Sequence, residues 1–222
     1  MGEPIFQDRR DAGQVLARAV AAIPYLKDAV VLALPRGGVP VGFEIARVHA
    51  LPLDILAVRK LGVPGQEELA MGAVAGDGTL VLNSDVIQAF RISDDLLRTV
   101  SVREQMEIER EERAYRAGQP PLEIADRTVI LVDDGLATGA TMRAAVRVVQ
   151  QRAKRVIIAV PVAAVSTCRE LRSEVDRIIC AYTPEPFEAV GQFYRDFTPT
   201  SDDEARALLI QARKNLEARP AA

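Results

Sequence analysis

The segment Val129-Ile-Leu-Val-Asp-Asp-Gly-Leu-Ala-Thr-Gly-Ala-Thr-Met142 decides the fold and indicates the chemistry of this chain. Its first four residues are apolar and mostly β-branched, which predicts a buried strand over residues 129–132. The strand leads directly into the carboxylates of Asp133 and Asp134, and a run of small residues then opens a helix. Because a helix N-terminus presents unpaired N–H groups and a partial positive charge, it can bind a phosphate.

The polar side chains around this turn suit a phosphorylated sugar. The hydroxyls of Thr138 and Thr141 can donate to a phosphate, and Gly139 lets the backbone approach the anion without a Cβ in the way. Asp133 and Asp134 can accept hydrogen bonds from the cis-diol of a ribose. Asp and Thr also serve as ordinary helix caps, but a cap needs one such residue rather than this whole set. The segment is neither a Walker A sequence nor a GxGxxG turn, so it predicts a sugar-phosphate site of another kind.

At these residues the chain resembles the phosphoribosyl-diphosphate (PRPP) loop of the type I phosphoribosyltransferases. The resemblance covers an apolar strand, two acidic residues and a Thr-Gly-x-Thr phosphate cradle. It implies that Asp133 and Asp134 hold the ribose 2′ and 3′ hydroxyls and place negative charge beneath the reacting carbon during catalysis. It further implies that the 5′-phosphate is held by the loop residues Ala137, Thr138, Gly139, Ala140 and Thr141.

One position of this loop departs from part of that family. Hypoxanthine-guanine enzymes carry a third carboxylate just before the Thr-Gly pair, where this chain has Ala137, as adenine phosphoribosyltransferases do. The loop therefore identifies no general base, and the acceptor of the phosphoribosyl group stays open.

A second anion-binding turn is predicted at Pro35-Arg36-Gly37-Gly38, between an apolar strand and a helix. Two glycines and a guanidinium at a strand end form a nest of exposed N–H groups beside a planar donor fork. Alone this is a common turn. The resemblance implies that Arg36, Gly37 and Gly38 bind the diphosphate of PRPP, with a cis peptide bond between Pro35 and Arg36.

Arg59 and Lys60 end another predicted strand, at the third point around the same pocket. Two consecutive cations could form a solvated turn, but the resemblance implies that they bind the diphosphate. The segment 61–68 is expected to be a mobile loop that closes over PRPP and keeps water from an oxocarbenium-like ribosyl centre. The resemblance also implies that Arg36, Lys60 and a Mg²⁺ cofactor stabilise the charge on the departing diphosphate.

The composition is that of an ordinary globular domain. The chain has 222 residues, of which 49% are hydrophobic and 27% charged, and this length fits one domain. A net charge of −3 argues against a non-specific nucleic-acid partner. Cys168 and Cys180 lack metal-ligand spacing and are predicted to be separate reduced thiols. No signal peptide or membrane span is expected, so the predicted location is the cytoplasm.

Alternating apolar runs and helical segments predict a doubly wound α/β fold with a mainly parallel five-stranded sheet. We expect one domain over residues 1–222, with its core at about 29–60 and 128–182, an insertion at about 61–127, and a small hood from about 1–28 and 183–222. The predicted strands are 29–34, 53–58, 129–132, 156–160 and 178–181, and the main predicted helices are 8–23, 39–48, 140–150 and 166–174.

The insertion is predicted to hold a β-hairpin and a long polar helix. The hairpin strands are 69–75 and 79–83, and Ser93 is predicted to cap a helix that reaches Arg116. Its i,i+4 ion pairs include one between Glu112 and Arg116, expected to contribute a few tenths of a kcal/mol. Such a helix is usually a solvated face, but with the hairpin it could form the interface of a homodimer.

The resemblance places the acceptor beneath the hood, where the aromatic ring of Phe187 could stack on a heterocycle. The alternative is that this ring pins the C-terminal segment to the core. The preferred function is a phosphoribosyltransferase whose partners are PRPP and a nucleobase or related small acceptor, with no nucleic acid and no membrane. A PRPP-sensing regulator without turnover is the alternative, although this chain lacks an obvious helix-turn-helix or basic excess.

Overall fold

The computed structural model of the protein describes residues 4–76 and 78–218. Its strands and helices alternate along the chain outside one antiparallel segment. In chain order they are α1 (Arg9–Val20), β1 (Ala29–Ala33), α2 (Gly38–His49), β2 (Leu53–Ile55), β3 (Val58–Val63), β4 (Gln66–Ala75), β5 (Leu80–Leu82), α3 (Ser84–Ala89), α4 (Asp94–Arg116), β6 (Thr128–Val132), α5 (Ala140–Val149), β7 (Arg155–Val162), α6 (Val165–Leu171), β8 (Arg177–Tyr182) and α7 (Asp202–Glu217).

The central sheet has the strand order β2-β1-β6-β7-β8, and all four pairings are parallel. Alternate residues of β6 enter different cores. Val129 and Leu131 pack with α5, whereas Ile130 and Val132 pack with α1, α2 and α7. Since both faces are covered by helices, every residue of β6 is buried, which explains its unbroken apolar run. The predicted doubly wound α/β fold with a five-stranded parallel sheet is confirmed.

A second, antiparallel sheet has the order β3-β4-β5. The predicted strand 53–58 is wrong in its extent, because β2 ends at Ile55 and Val58 begins β3 in this other sheet. Residues 61–68, predicted to be a mobile loop that closes over PRPP, lie in the hairpin formed by β3 and β4, and their closure over a ligand stays a prediction. Leu61 and Val63 are buried against Met71 and the helices beyond it, which holds the segment as a strand.

The long helix α4 begins where the sequence predicted, since the Ser93 hydroxyl accepts a hydrogen bond from the Leu96 N–H at 3.3 Å. Its end is not the purely solvated face that the charge pattern suggested. Arg116 lies 3.1 Å from the buried carboxylate of Asp54 and 2.5 Å from Glu112, and all three side chains are at most 10% exposed. The helix is therefore tied to β2 by a buried ion network.

The N-terminal segment around Phe6 pairs with the segment around Phe193, and the Phe6 ring contacts Tyr182 at the end of β8. The Phe6 N–H donates to the Phe193 carbonyl at 2.9 Å, and the Arg195 N–H donates to the Phe6 carbonyl at 2.8 Å. We call this paired unit the hood. Its interior is an aromatic cluster that comprises Phe6, Phe187, Phe193, Tyr194 and Phe197.

The expectation of separate reduced thiols is wrong, because Cys168 of α6 and Cys180 of β8 form a disulfide. The reason is local: the chain turns back directly after α6, so that a helix residue meets the strand 12 positions later. Within residues 4–76 and 78–218, no helix is long and apolar enough to cross a membrane.

Candidate active site

The carboxyl ends of β1 and β6 bring the two predicted anion-binding turns together. Asp133 and Asp134 follow β6, and Gly37 and Gly38 follow β1. A Cβ on Gly37 would overlap the carboxylate of Asp134, so only glycine allows this approach. The peptide bond between Pro35 and Arg36 is cis, as predicted. Ligands of open parallel sheets bind outside this edge, where neighbouring crossovers diverge.

The loop after the acidic pair leads directly into α5. Gly139 takes a left-handed conformation at φ 70° and is the residue before the helix, so the first N–H groups of α5 point towards the loop. Ala137 and Thr138 are exposed, as is Thr141 in the first turn of the helix. The Thr167 hydroxyl of α6 donates to the Ala137 carbonyl and supports the loop from behind.

A cleft of about 480 Å³ adjoins the start of α5. It is lined by Pro35 from the turn after β1, by Arg59 and Lys60 from β3, and by Ala140 and Thr141 from α5. Three predicted site segments that are far apart in the sequence therefore face one space.

Arg36 and Arg59, which were predicted to bind diphosphate, each form an ion pair with a carboxylate. Arg36 lies 3.5 Å from Asp202 at the start of α7, and both side chains are about half exposed or more. Arg59 lies 3.1 Å from Glu111 of α4. Both guanidinium groups are nearly half exposed, and ion pairs so close to solvent are weak, so each can turn to an anionic ligand at small cost.

The surroundings of the acidic pair disfavour the charged form of both carboxyl groups. Burial and the neighbouring carboxylate of Asp134 raise the pKa of Asp133 well above its ordinary value. Burial also raises the pKa of Asp134, and the Arg9 guanidinium opposes that rise. Arg9 comes from the hood, and its Nε donates to Asp134 Oδ2 at 2.8 Å. The Tyr194 hydroxyl donates to the Asp134 carbonyl at 2.5 Å and ties a second hood segment to the same residue.

Arg9 and Tyr194 were absent from the residues that the sequence singled out. Arg9 lies 125 positions from Asp134, and no local pattern marks one arginine of an opening helix as its partner. Phe187 is half-buried, and its ring centre lies 5.1 Å from that of Phe193. This contact accords with the pinning role, and the partly exposed ring leaves stacking on an acceptor as a proposal.

The described residues contain no cluster of three or more His, Cys, Asp or Glu side chains that could hold a metal ion. A Mg²⁺ ion does not require such a cluster, because it commonly keeps several waters and binds substrate phosphates with few protein ligands. The donor set therefore fits an ion that enters with a diphosphate ligand.

The parallel α/β sheet, with its acidic pair and helix start at the carboxyl edge, defines a protein of the type I phosphoribosyltransferase class. Residues 11–198 match the family described as "Phosphoribosyl transferase domain". The chain belongs to this phosphoribosyltransferase family, as its PRPP-loop segment predicted.

The chain is similar to two further proteins. "Putative phosphoribosyl transferase Rv0571c" of Mycobacterium tuberculosis is 43% identical over 212 residues, which are 95% of this chain and 48% of that protein. The chain thus spans about half the length of this curated relative. The crystal structure of TT1426 from Thermus thermophilus superposes with a TM-score of 0.85 at 40% identity, and the alignment covers 93% of this chain and 98% of that one.

Proposed function

We propose that this protein transfers the 5-phosphoribosyl group from PRPP to a nucleobase or related small acceptor and releases diphosphate. One observation carries the proposal. The acidic pair Asp133-Asp134 and the open N-terminus of α5 lie at one sheet edge, beside a cleft lined by Arg59 and Lys60. This arrangement places hydrogen-bond acceptors for sugar hydroxyls, donors for a phosphate and cations for a diphosphate next to one another.

The 5′-phosphate would lie at the first turn of α5. The proposed contacts are the backbone N–H groups and hydroxyls of the exposed loop, in a position where the helix N-terminus favours negative charge. The ribose hydroxyls would then donate to Asp133 and Asp134. The residues proposed to hold the phosphate are Ala137, Thr138, Gly139, Ala140 and Thr141.

The diphosphate would lie between the β1 turn and β3. Gly37 would supply a backbone N–H group there. The N–H of Gly38 donates to the Leu34 carbonyl at 3.0 Å, so Gly38 would contribute a close backbone approach without a Cβ. The proposed cationic contacts come from Arg36, Arg59 and Lys60. A Mg²⁺ ion bound with the substrate would supply further positive charge for the leaving diphosphate. Arg36 and Arg59 would exchange their carboxylate partners for phosphate oxygens, which bind a guanidinium group in a bidentate geometry.

The reaction breaks the bond between ribose C1 and a diphosphate oxygen and forms a bond from C1 to the acceptor nitrogen. Positive charge grows on the ribosyl carbon and negative charge on the leaving diphosphate. The Arg36 and Lys60 side chains would stabilise the leaving group, and Asp133 and Asp134 the ribosyl centre. The acceptor proton is lost to solvent or a phosphate oxygen, since Ala137 stands where some relatives place a carboxylate. PRPP carries several charges and does not cross bilayers unaided, so we place the reaction in the cytoplasm.

The acceptor would lie beneath the hood, with the ring of Phe187 as the candidate for stacking on it. A PRPP-sensing regulator that binds but does not turn over its ligand is the second candidate. The cations Arg59 and Lys60 at the cleft favour the enzyme, because a sensor does not need to stabilise a departing diphosphate.

We also propose that the protein forms a homodimer. Four large apolar side chains on α4 and β5 are 42–64% exposed, and part of this surface is a groove between the two elements. Contiguous exposed apolar surface of this kind marks interaction sites. These four residues, which we call the α4–β5 face, are Leu80, Leu82, Val102 and Met106.

The ribose assignment is tested by calorimetric titration of PRPP with Mg²⁺ into the Asp133→Asn/Asp134→Asn double variant. We expect affinity to fall by at least about 100-fold, because two hydroxyls lose charged acceptors. The control is Asp94→Asn/Asp95→Asn, an exposed adjacent pair with the same change of charge, which should bind as wild type. Unchanged affinity of the first variant would refute the site.

Turnover is tested by screening nucleobases for PRPP-dependent release of diphosphate. An active base identifies the acceptor class and supports the enzyme. PRPP binding without release for any base would favour the regulator.

A further inference from the structure

The hood contacts the acidic pair through Arg9, the first residue of α1. Its Nε donates to Asp134 Oδ2 and its Nη1 to the Thr198 carbonyl, each at 2.8 Å. The guanidinium carbon also lies 4.0 Å from the centre of the Phe197 ring. The Arg9 and Asp134 side chains are only 11% and 16% exposed. Three contacts, one from Asp134 and two from the adjacent residues Phe197 and Thr198, thus hold this guanidinium in one position.

These contacts and one backbone hydrogen bond engage one oxygen of each carboxylate in the acidic pair. Asp134 Oδ2 bonds to Arg9 and packs against Gly37. Asp133 Oδ1 accepts the Asp134 N–H at 2.8 Å. One oxygen of each carboxylate is therefore held by the protein, and the other oxygen of each is left to accept from two adjacent sugar hydroxyls.

We propose that Arg9 is a positioning residue for the ribose site, which fixes Asp134 Oδ2 so that Oδ1 faces the sugar. The inference rests on the proposed function, because it requires that the acidic pair binds ribose. The family match begins at residue 11, so Arg9 lies outside the matched segment. Because the same guanidinium bonds to Thr198 and stacks on Phe197, it also links the proposed ribose site to the C-terminal segment of the hood.

The charge of Arg9 has a second effect on this pair. Burial raises the pKa of both carboxyl groups, and Arg9 opposes the rise. The other titratable groups that face this cluster are Tyr194, whose phenol donates to the Asp134 carbonyl, and Asp196, whose pKa is lowered mainly by hydrogen bonds from Thr198 and to a lesser extent by Arg9. The start of α2 contributes only glycine backbone here. Without Arg9, the pair would hold a proton at higher pH, and a protonated carboxyl accepts more weakly from a hydroxyl.

The test compares Arg9→Gln and Arg9→Lys with Arg10→Gln, in which the neighbouring exposed arginine undergoes the same change of charge as in Arg9→Gln. PRPP affinity with Mg²⁺ is measured by calorimetry from about pH 5 to 9. For Arg9→Gln we expect a loss of about 10–100-fold at neutral pH. The acidic limb of its affinity profile should also move up by about one pH unit or more.

Arg9→Lys retains the charge but not the planar fork, so its affinity should fall while its acidic limb moves less. Arg10→Gln should follow wild type throughout. Thermal melting of each variant establishes that it is folded. An acidic limb in Arg9→Gln that coincides with that of wild type would overturn the proposal, as would full affinity.

A ligand-free measurement separates this inference from the proposed function. Titration of ¹³C-labelled aspartate carboxyl groups by NMR should show the acidic pair ionising at higher pH in Arg9→Gln than in wild type or Arg10→Gln. If wild type binds no PRPP, the proposed function fails, and this titration still decides whether Arg9 controls the ionisation of Asp134. Coinciding titration curves would refute that control.

Discussion

At the scale of single residues, the environment of Asp133 and Asp134 disfavours the charged state that the proposed ribose binding requires. Their carboxylates are adjacent and partly withdrawn from water, and burial together with mutual repulsion raises the pKa of Asp133. A carboxyl group whose folded-state pKa is raised contributes stability at low pH. That stability is lost as the pH rises through the raised value. Near neutral pH the charged pair therefore destabilises the ligand-free protein.

We predict that Asp133→Asn raises the melting temperature near neutral pH while it weakens PRPP binding. Asparagine resembles the protonated acid, and its oxygen can still accept the Asp134 N–H. The increase in melting temperature over wild type should shrink as the pH falls towards 4 and grow as the pH rises towards 8. In a chain of this size, each kcal/mol of added stability raises the melting temperature by about 2–4 °C. Calorimetric melting curves at several pH values measure it.

The control for this stability prediction is Asp203→Asn, which removes an equal charge from a side chain that is 92% exposed on α7. Its melting temperature should differ little from wild type at any pH. A melting temperature of Asp133→Asn below that of wild type at the upper end of the range would contradict the electrostatic account.

Local sequence was enough to single out the residues of the candidate site but not the residues that contact them. Asp133, Asp134 and the loop to Thr141 follow one another in the chain, so a strand end and a helix start were enough to predict them. Arg9 reaches Asp134 only because the N-terminal segment pairs with the segment around residue 194. Such a contact depends on the packed hood, and hydrophobic periodicity carries no information about it.

At the scale of elements, the end of α4 shows the limit of reasoning from spacing. The pairs Glu109–Arg113 and Glu112–Arg116 have the same i,i+4 spacing, and the sequence treats them alike. Arg113 is 75% exposed and 3.8 Å from its partner, whereas Arg116 is 10% exposed and also binds Asp54. The difference arises from the chain turning β2 beneath the last turn of the helix.

We predict that Arg116→Met destabilises the protein by about 3–5 kcal/mol, because Asp54 and Glu112 would remain buried without their cation. Arg113→Met, one turn closer to the middle of the same helix, should cost no more than about 0.5 kcal/mol. Urea unfolding measures both free energies. Equal losses for the two variants would show that the buried network contributes no more than the surface pair.

The strands were predicted where both faces are covered, because a run such as 129–132 is apolar at every position. The segment from Leu53 to Val63 was harder to divide. Leu56 and Ala57 are as apolar as the residues before them and are also buried, so nothing in the composition marks the point where the chain leaves one sheet for the other. The switch depends on the pairing of β3 with β4, which is a tertiary event.

At the scale of the whole molecule, the proposed site is enclosed by three bodies. The parallel sheet supplies the acidic pair and both anion-binding turns, the antiparallel sheet supplies the cations of β3, and the hood supplies Arg9. The α4–β5 face lies on the antiparallel sheet and the long helix, and its residues do not line the cleft of about 480 Å³. Self-association through this face would therefore leave the cleft open to substrate.

The last prediction concerns this face. Met106 is 64% and Val102 54% exposed, one helical turn apart on α4 beside Leu80 of β5. If a second copy covers them, Met106→Glu places a charge in an apolar contact and should weaken dimerisation by at least about 10-fold, since burying an unpaired charge is costly. Sedimentation equilibrium of wild type and variant measures the dissociation constant. Ile210→Glu, at another exposed apolar position on α7, is the control and should dimerise as wild type. A wild-type protein that stays monomeric at high concentration, or equal weakening by both substitutions, would exclude this face as the interface.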